Sequence, residues 1–171
     1  MLSFNIRDLL QHAAKVDGTL GPDDPVWLDE DLRPASPIHV SGRLSQAGPD
    51  RFYFSGRMEG IATHDCRRCL TDVRTDVADD LNLIFAESAE SDDDDPDIFP
   101  VDDRMQEIDL RPAIREQWLL SVPRFAVCRD DCRGICPKCG ADLNAGPCGC
   151  PPESESDSRW EALRAMRSES Q

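Results

Sequence analysis

The sequence contains no long apolar run: nothing in its 171 residues approaches the roughly eighteen consecutive apolar positions that a membrane-spanning helix needs. The first residues, Met1-Leu2-Ser3-Phe4-Asn5-Ile6-Arg7, lack the basic-then-apolar order of a signal peptide. The expectation is a cytoplasmic chain in a reducing compartment, with no membrane partner. Histidine is scarce as well. His12, His39 and His64 are scattered, and no Ser-His-Asp arrangement, phosphate-cradling glycine loop or helically spaced pair of acids stands out. Such a chain offers no ready catalytic set and no evident small-molecule substrate. Lysine is nearly missing: of nineteen basic residues only Lys15 and Lys138 are lysines. The net charge of -15 argues against a nonspecific grip on nucleic acid, which works by neutralising phosphates and releasing their counterions. A basic protein is the better electrostatic match.

The length sets one domain with loose ends. Hydrophobic residues make up 39% and mean hydropathy is -0.51, so the core is modest and part of the chain lies outside it. Residues 1–35 form an N-terminal segment with weak signals. Phe4 and Ile6 alternate, Asp8 can cap a turn holding Leu9 and Leu10, and Asp17-Gly18 breaks it; Val26, Trp27 and Leu28 read as an anchoring patch. Residues 36–86 carry the period of two expected of an antiparallel sheet. Ile38, Val40, Gly42 and Leu44 alternate, Ala47-Gly48-Pro49-Asp50 turns, and Phe52, Phe54, Gly56 and Met58 alternate again. A third strand follows through Val73, Thr75, Val77, Leu81, Leu83 and Phe85, with Asp79 as an interruption and a candidate bulge.

Residues 87–108 read as an acidic flexible linker, because ESAESDDDDPD at 87–97 holds seven acids in eleven positions and a proline. Residues 109–152 hold a helix over about 110–121 and a cysteine-rich lobe. Asp109 is its expected N-cap, Pro112 fits the first turn, Leu110, Ile114, Trp118 and Leu119 lie near one face, and Pro123 stops it. Residues 153–171 read as a tether and a C-terminal helix, with a capping box at Ser158-Arg159-Trp160-Glu161 and Trp160, Leu163 and Met166 at helical spacing. The fold class is α+β: a twisted antiparallel sheet with one main helix and a zinc-stapled C-terminal lobe.

The abundance that needs explaining is cysteine. Five of the eight lie within residues 132–150. Cys66/Cys69 and Cys136/Cys139 are C-x-x-C pairs, Cys128/Cys132 is C-x-x-x-C, and Cys148/Cys150 is C-x-C. In a reducing compartment these are metal ligands before they are disulfides. Four thiolates suit tetrahedral zinc, and the turn Cys136-Pro137-Lys138-Cys139-Gly140 sets two sulfurs on one side with a glycine free to take positive φ. Two zinc ions per chain are expected. The favoured partition joins 136/139 with 148/150, and 66/69 with 128/132; the competing one joins 128/132 with 136/139, and 66/69 with 148/150. Iron–sulfur or redox chemistry is the alternative for these thiols. His64, two residues before Cys66, is an alternative ligand or an ordinary strand residue.

Cys66-Arg67-Arg68-Cys69-Leu70 after a hairpin, the helix from Asp109-Leu110-Arg111-Pro112 to Arg115-Glu116-Gln117, the run Ser121-Val122-Pro123, and Cys128 through Cys132-Arg133-Gly134-Ile135-Cys136-Pro137-Lys138-Cys139-Gly140-Ala141-Asp142-Leu143-Asn144 to Cys148 together resemble the YceD family of large ribosomal RNA subunit accumulation proteins. The resemblance spans roughly residues 36–168, and the acidic insert departs from it. It implies a cytoplasmic factor supporting maturation or accumulation of large-subunit rRNA, with no established catalytic chemistry.

Four thiolates per metal close the position that catalysis needs, so the cluster is expected to hold first and bind second. Arg67, Arg68, Arg124, Arg129, Arg133 and Lys138 surround the ligands. They either offset thiolate charge or form a small basic face. With the resemblance, the expectation is a non-enzymatic ribosome biogenesis factor touching a large-subunit rRNA precursor, a basic ribosomal protein, or both. Trp160 is either an apolar anchor for that partner or a brace on the chain's own domain. The alternatives are a zinc-ribbon regulator of nucleic acid and a metal-dependent ribonuclease.

Overall fold

The computed structural model describes residues 2–87, 98–101 and 106–151, and for Glu87 the backbone only. The run at 88–97 and the C-terminal helix expected beyond residue 157, with Trp160, lie outside the described residues. The elements are β1 (Ser3–Asn5), α1 (Ile6–Leu9), β2 (Ala14–Leu20), β3 (Ile38–Gly48), β4 (Arg51–Asp65), β5 (Asp72–Glu87), β6 (Ile98–Val101), β7 (Glu107–Asp109) and α2 (Arg111–Ser121). The fold is α+β. A five-stranded sheet runs in the order β2-β3-β4-β5-β6, antiparallel except for the parallel pair β5-β6, and β1 pairs with β7 separately.

Alternation decides which face is buried. Val40, Leu44, Phe54, Met58, Leu81, Leu83 and Phe85 point inward, while Ser41, Arg57, Asp80 and Asn82 point outward. The β4–β5 register is unbroken from Arg51↔Ala86 to Asp65↔Asp72. Asp79 therefore causes no bulge. It keeps its inward parity because Ser121 at the end of α2 donates to its carboxylate at 2.6 Å, giving a polar group on the covered face a partner.

Helix α2 lies over the sheet with Ala113, Ile114 and Trp118 buried. Trp118 packs on Gly60, where an added Cβ would meet the indole at 2.7 Å, so only glycine lets the ring this close to the strand. Its Nε1–H donates to the Leu32 carbonyl at 2.8 Å. The loop before β3 is tied to the same helix by Arg115 on Asp31 and by Arg111 on Asp24. The Arg115 guanidinium holds the Asp31 carboxyl below its usual range. The helix begins one residue later than the capping pattern suggests. Asp109 still accepts the Arg111 N–H at 2.9 Å and also chelates the Arg111 side chain.

Three elements lie where sequence signals were weak or opposed. β2 runs through Asp17-Gly18, which reads as a breaker but pairs in register with Ser41 and Val40, Asp17 facing outward. β6 and the first two residues of β7 fall within the interval 87–108 expected to be linker. β6 is a short edge strand, which tolerates Pro100 because an edge can leave one position without an N–H in the ladder.

Candidate metal centres

The first centre begins at the tip of the β4–β5 hairpin. Asp65 and Asp72 are the last paired residues, so the turn between them is the segment containing Cys66 and Cys69. The Leu70 N–H donates to the Cys66 carbonyl at 2.9 Å and the Cys66 N–H to Thr71 at 2.8 Å, curling the chain so that both sulfurs face one way. Leu70 completes the curl in the left-handed region, with φ 61. The chain after α2 brings the other pair: the Cys66 and Cys132 sulfurs lie 3.9 Å apart, and those of Cys69 and Cys128 lie 3.6 Å apart.

The second centre repeats the same turn. The Gly140 N–H donates to Cys136 at 2.9 Å and the Cys136 N–H to Ala141 at 2.8 Å, with Gly140 at φ 74 where the first turn has Leu70. Cys148 and Cys150 supply its other two sulfurs. Each set of four holds its sulfurs within 4.8 Å of one another, and these are the two sets the favoured spacing partition joins. His64 belongs to neither; its ring meets Thr75 Oγ1 at 3.1 Å.

The donor chemistry fits a tetrahedral divalent cation. Zinc–sulfur bonds of about 2.3 Å give sulfur–sulfur edges of about 3.8 Å, close to the two contacts above. Protonation points the same way. Burial raises the Cys66 thiol, but N–H groups of Cys128, Cys69 and Arg68 aimed at its sulfur outweigh that and bring it down to about 6. The Thr71 hydroxyl lowers Cys69. Burial and the neighbouring sulfurs push Cys128 up to about 12. In the second set, backbone N–H donors of Cys139 and Lys138 lower Cys136 to about 6, while the adjacent Cys139 sulfur leads in raising Cys150 to about 12. Each cage is built to carry negative charge but cannot hold four thiolates without a cation. With all four positions taken by sulfur, such an ion has no open site for water or substrate.

The basic residues around the cages differ in what they touch. Arg68 donates to the carbonyls of Asp130 and Cys132 at 2.9 and 3.0 Å, latching the hairpin tip to the lobe. Arg129 meets Asp131 and Asn144. Lys138 reaches the Pro151 carbonyl, and the exposed Arg133 is held through its backbone N–H by Asn144. Arg67 lies over the Phe125 ring, and Arg124 is exposed beside it. Asn144 is a residue that spacing alone does not single out. It also donates to the Cys132 sulfur at 3.5 Å, so a side chain from the second cage's loop supports a ligand of the first. A second link is the Ile135 N–H on the Arg68 carbonyl at 3.0 Å.

Comparison with known proteins adds what geometry alone does not. Among the described residues no helix is long and apolar enough to cross a membrane. No solved structure matches the chain. An uncharacterized protein of Mycobacterium tuberculosis is 32% identical over 165 residues, covering 95% of this chain and 73% of its own length. The maize protein described as large ribosomal RNA subunit accumulation protein YCED homolog 1, chloroplastic, is 29% identical over 153 residues, 71% of this chain and 51% of its own. The uncharacterized Bacillus subtilis protein YlbN is 25% identical over 140 residues, covering 81% and 80%. The family described as "Large ribosomal RNA subunit accumulation protein YceD" matches residues 54–167, from within β4 past the second cage. With its hairpin-tip cysteines, α2 and both cages inside that match, the chain belongs to the YceD family.

Proposed function

We propose that the chain is a non-enzymatic ribosome biogenesis factor that supports accumulation of large-subunit rRNA, with one structural zinc ion in each cysteine cage. The observation that carries the non-enzymatic part is the closure of both cages, since four sulfurs leave a metal no position at which to activate water. The role in large-subunit rRNA accumulation follows from family membership. Zinc is the metal of choice because it takes tetrahedral thiolate sets and has no redox cycle to damage them. The factor works in the cytoplasm, where it meets a large-subunit rRNA precursor, a basic ribosomal protein, or both. Its acids, including the seven at 87–97, complement a basic protein and screen the chain from random nucleic acid. Trp160 remains a candidate apolar anchor for that partner, with a brace on the chain's own domain as its alternative role.

Closed cages disfavour a ribonuclease, and the net charge of -15 disfavours a regulator that grips naked duplex. The test is the position of the tagged protein on a ribosome gradient together with the ratio of large- to small-subunit rRNA in cells lacking it. Co-migration with large-subunit precursors and a lowered ratio are expected. Recovery with chromosomal DNA alone, or an unchanged ratio, would contradict the proposal.

A further inference from the structure

Next to the first cage in sequence, the end of β4, the loop before β3 and the chain leaving α2 line an open cavity of about 500 Å³. That size lies within the range of about 300–1,000 Å³ typical of small-ligand sites. Leu119 and Val122 supply apolar lining, Arg67 and Arg124 supply cations, and Glu30 and Asp65 supply carboxylates. The remaining acid there, Asp31, is already committed to Arg115. Arg57, Arg111, Arg115 and Arg129 have carboxylate partners; among the described residues Arg67 and Arg124, like seven other arginines, have none, and these two share the cavity. Glu30 and Asp65 line the same cavity, so its guanidinia can meet a phosphate while its carboxylates accept from a donor group.

Phe125 is the second independent observation. It is 74% exposed, although its neighbours in sequence, Arg124 and Ala126, both line the cavity. The Arg67 guanidinium sits 4.7 Å from the ring centroid, and the Arg67 N–H fixes the Ala126 carbonyl at 3.0 Å. The ring is thus oriented without being buried. An aromatic face beside unpaired arginines is the combination that holds an unstacked base and its phosphate.

We propose that this cavity and the Phe125 ring bind one unstacked nucleotide of single-stranded RNA. The base stacks on Phe125, a flanking phosphate meets Arg124 and Arg67, and Glu30 and Asp65 accept from an exocyclic amino group, favouring cytosine over uracil, whose O4 they repel. The assignment rests on the proposed role in large-subunit rRNA accumulation and gives it a contact point. A basic ribosomal-protein segment is the competing occupant: Glu30 and Asp65 would attract it, Arg67 and Arg124 oppose it, and the exposed Phe125 ring favours the base.

The test uses the full zinc-loaded chain and fluorescein-labelled oligocytidylate and oligouridylate of roughly twelve nucleotides, read by anisotropy, a length within the usual range of single-strand sites. Phe125→Ala should weaken oligocytidylate binding about tenfold or more, with zinc content and thermal midpoint unchanged because the ring is exposed. Arg124→Glu should weaken it further and flatten its salt dependence. Oligocytidylate should bind several-fold tighter than oligouridylate, on the order of one lost base-edge contact. No binding by the wild type, full binding by Phe125→Ala, or displacement of the RNA by a Lys/Arg-rich peptide that binds more tightly would overturn the site. Equal affinity for the two oligomers would remove Glu30 and Asp65 from it. If Phe125→Ala restores large-subunit rRNA fully in cells lacking the chain, the cavity assignment fails while the broader role stands. If loss of the chain leaves that rRNA unchanged, the broader role fails whatever the oligomers do.

Discussion

The two cysteine cages use the same turn for opposite ends. In both, the first cysteine's carbonyl receives the N–H four residues on and its own N–H reaches a carbonyl five residues on, with the fourth residue left-handed. The first cage joins positions 59 apart in sequence and buries Cys66, Cys69 and Cys132, with Cys128 exposed. The second closes within residues 136–150 and leaves Cys139 exposed. A ligand set's contribution to a fold therefore depends on which chain segments it joins. The first cage is a clasp between the sheet and the chain after α2; the second folds a lobe tied to the first cage's surroundings by the Ile135 N–H on Arg68 and by Asn144 on Cys132 and Arg129.

That contrast breaks most directly when each cage is removed in turn. Cys66→Ser with Cys69→Ser should lower the Tm by roughly 10 °C or more and open the β4–β5 tip to protease, because the closed loop is long and both replaced cysteines are buried. Cys136→Ser with Cys139→Ser should shift the Tm by only a few degrees, about the effect of a local contact, and expose cleavage only beyond Gly134. Equal shifts, or the reverse order, in thermal unfolding and limited proteolysis would show that the first cage is no clasp.

Smaller effects sharpen the comparison at the turns themselves. Gly134 has φ 75, and an added Cβ would lie 2.8 Å from the Arg68 carbonyl oxygen, so Gly134→Ala should cost about 2 kcal/mol through backbone strain and a clash at the junction between the cages. Gly140 has a similar φ but open space around it, and Gly140→Ala should cost about 1 kcal/mol. Urea denaturation of the zinc-loaded variants measures both. Identical losses would mean that contact with the hairpin tip adds nothing. The smallest change is a gain. Leu70 is 61% exposed and holds the left-handed conformation without glycine, so Leu70→Gly should leave stability level or raise it by up to about 1 kcal/mol. A loss of that size in the same assay would reveal a packing role for the leucine.

Much of this architecture was legible in the sequence, where long patterns were strong. The β3–β4 hairpin, β5 and α2 each repeat an apolar period over many residues, and paired cysteines announce four-sulfur sets. β1 and β7 are three residues each, too short for any period to show. In β2 the Asp17-Gly18 pair resembles a turn, because local propensity cannot know that Gly18 will meet Val40 across a ladder. Asp79 looks like an interruption until Ser121, 42 positions on, arrives as its partner. The same limit hid Asn144 and Phe125: one gains its role from a sulfur in the other cage, the other from the guanidinium of Arg67. Long-range pairing leaves no local trace in composition or period.

On the proposed reading two closed zinc centres hold this fold, one as a clasp and one as a local lobe. Native mass spectrometry of the intact chain and of the two double variants tests it most directly. The account predicts two zinc ions on the wild type and one on each variant, each remaining ion held by the untouched set of four cysteines. A wild type with a single ion, or a Cys136→Ser/Cys139→Ser chain that keeps both or loses both, would contradict it.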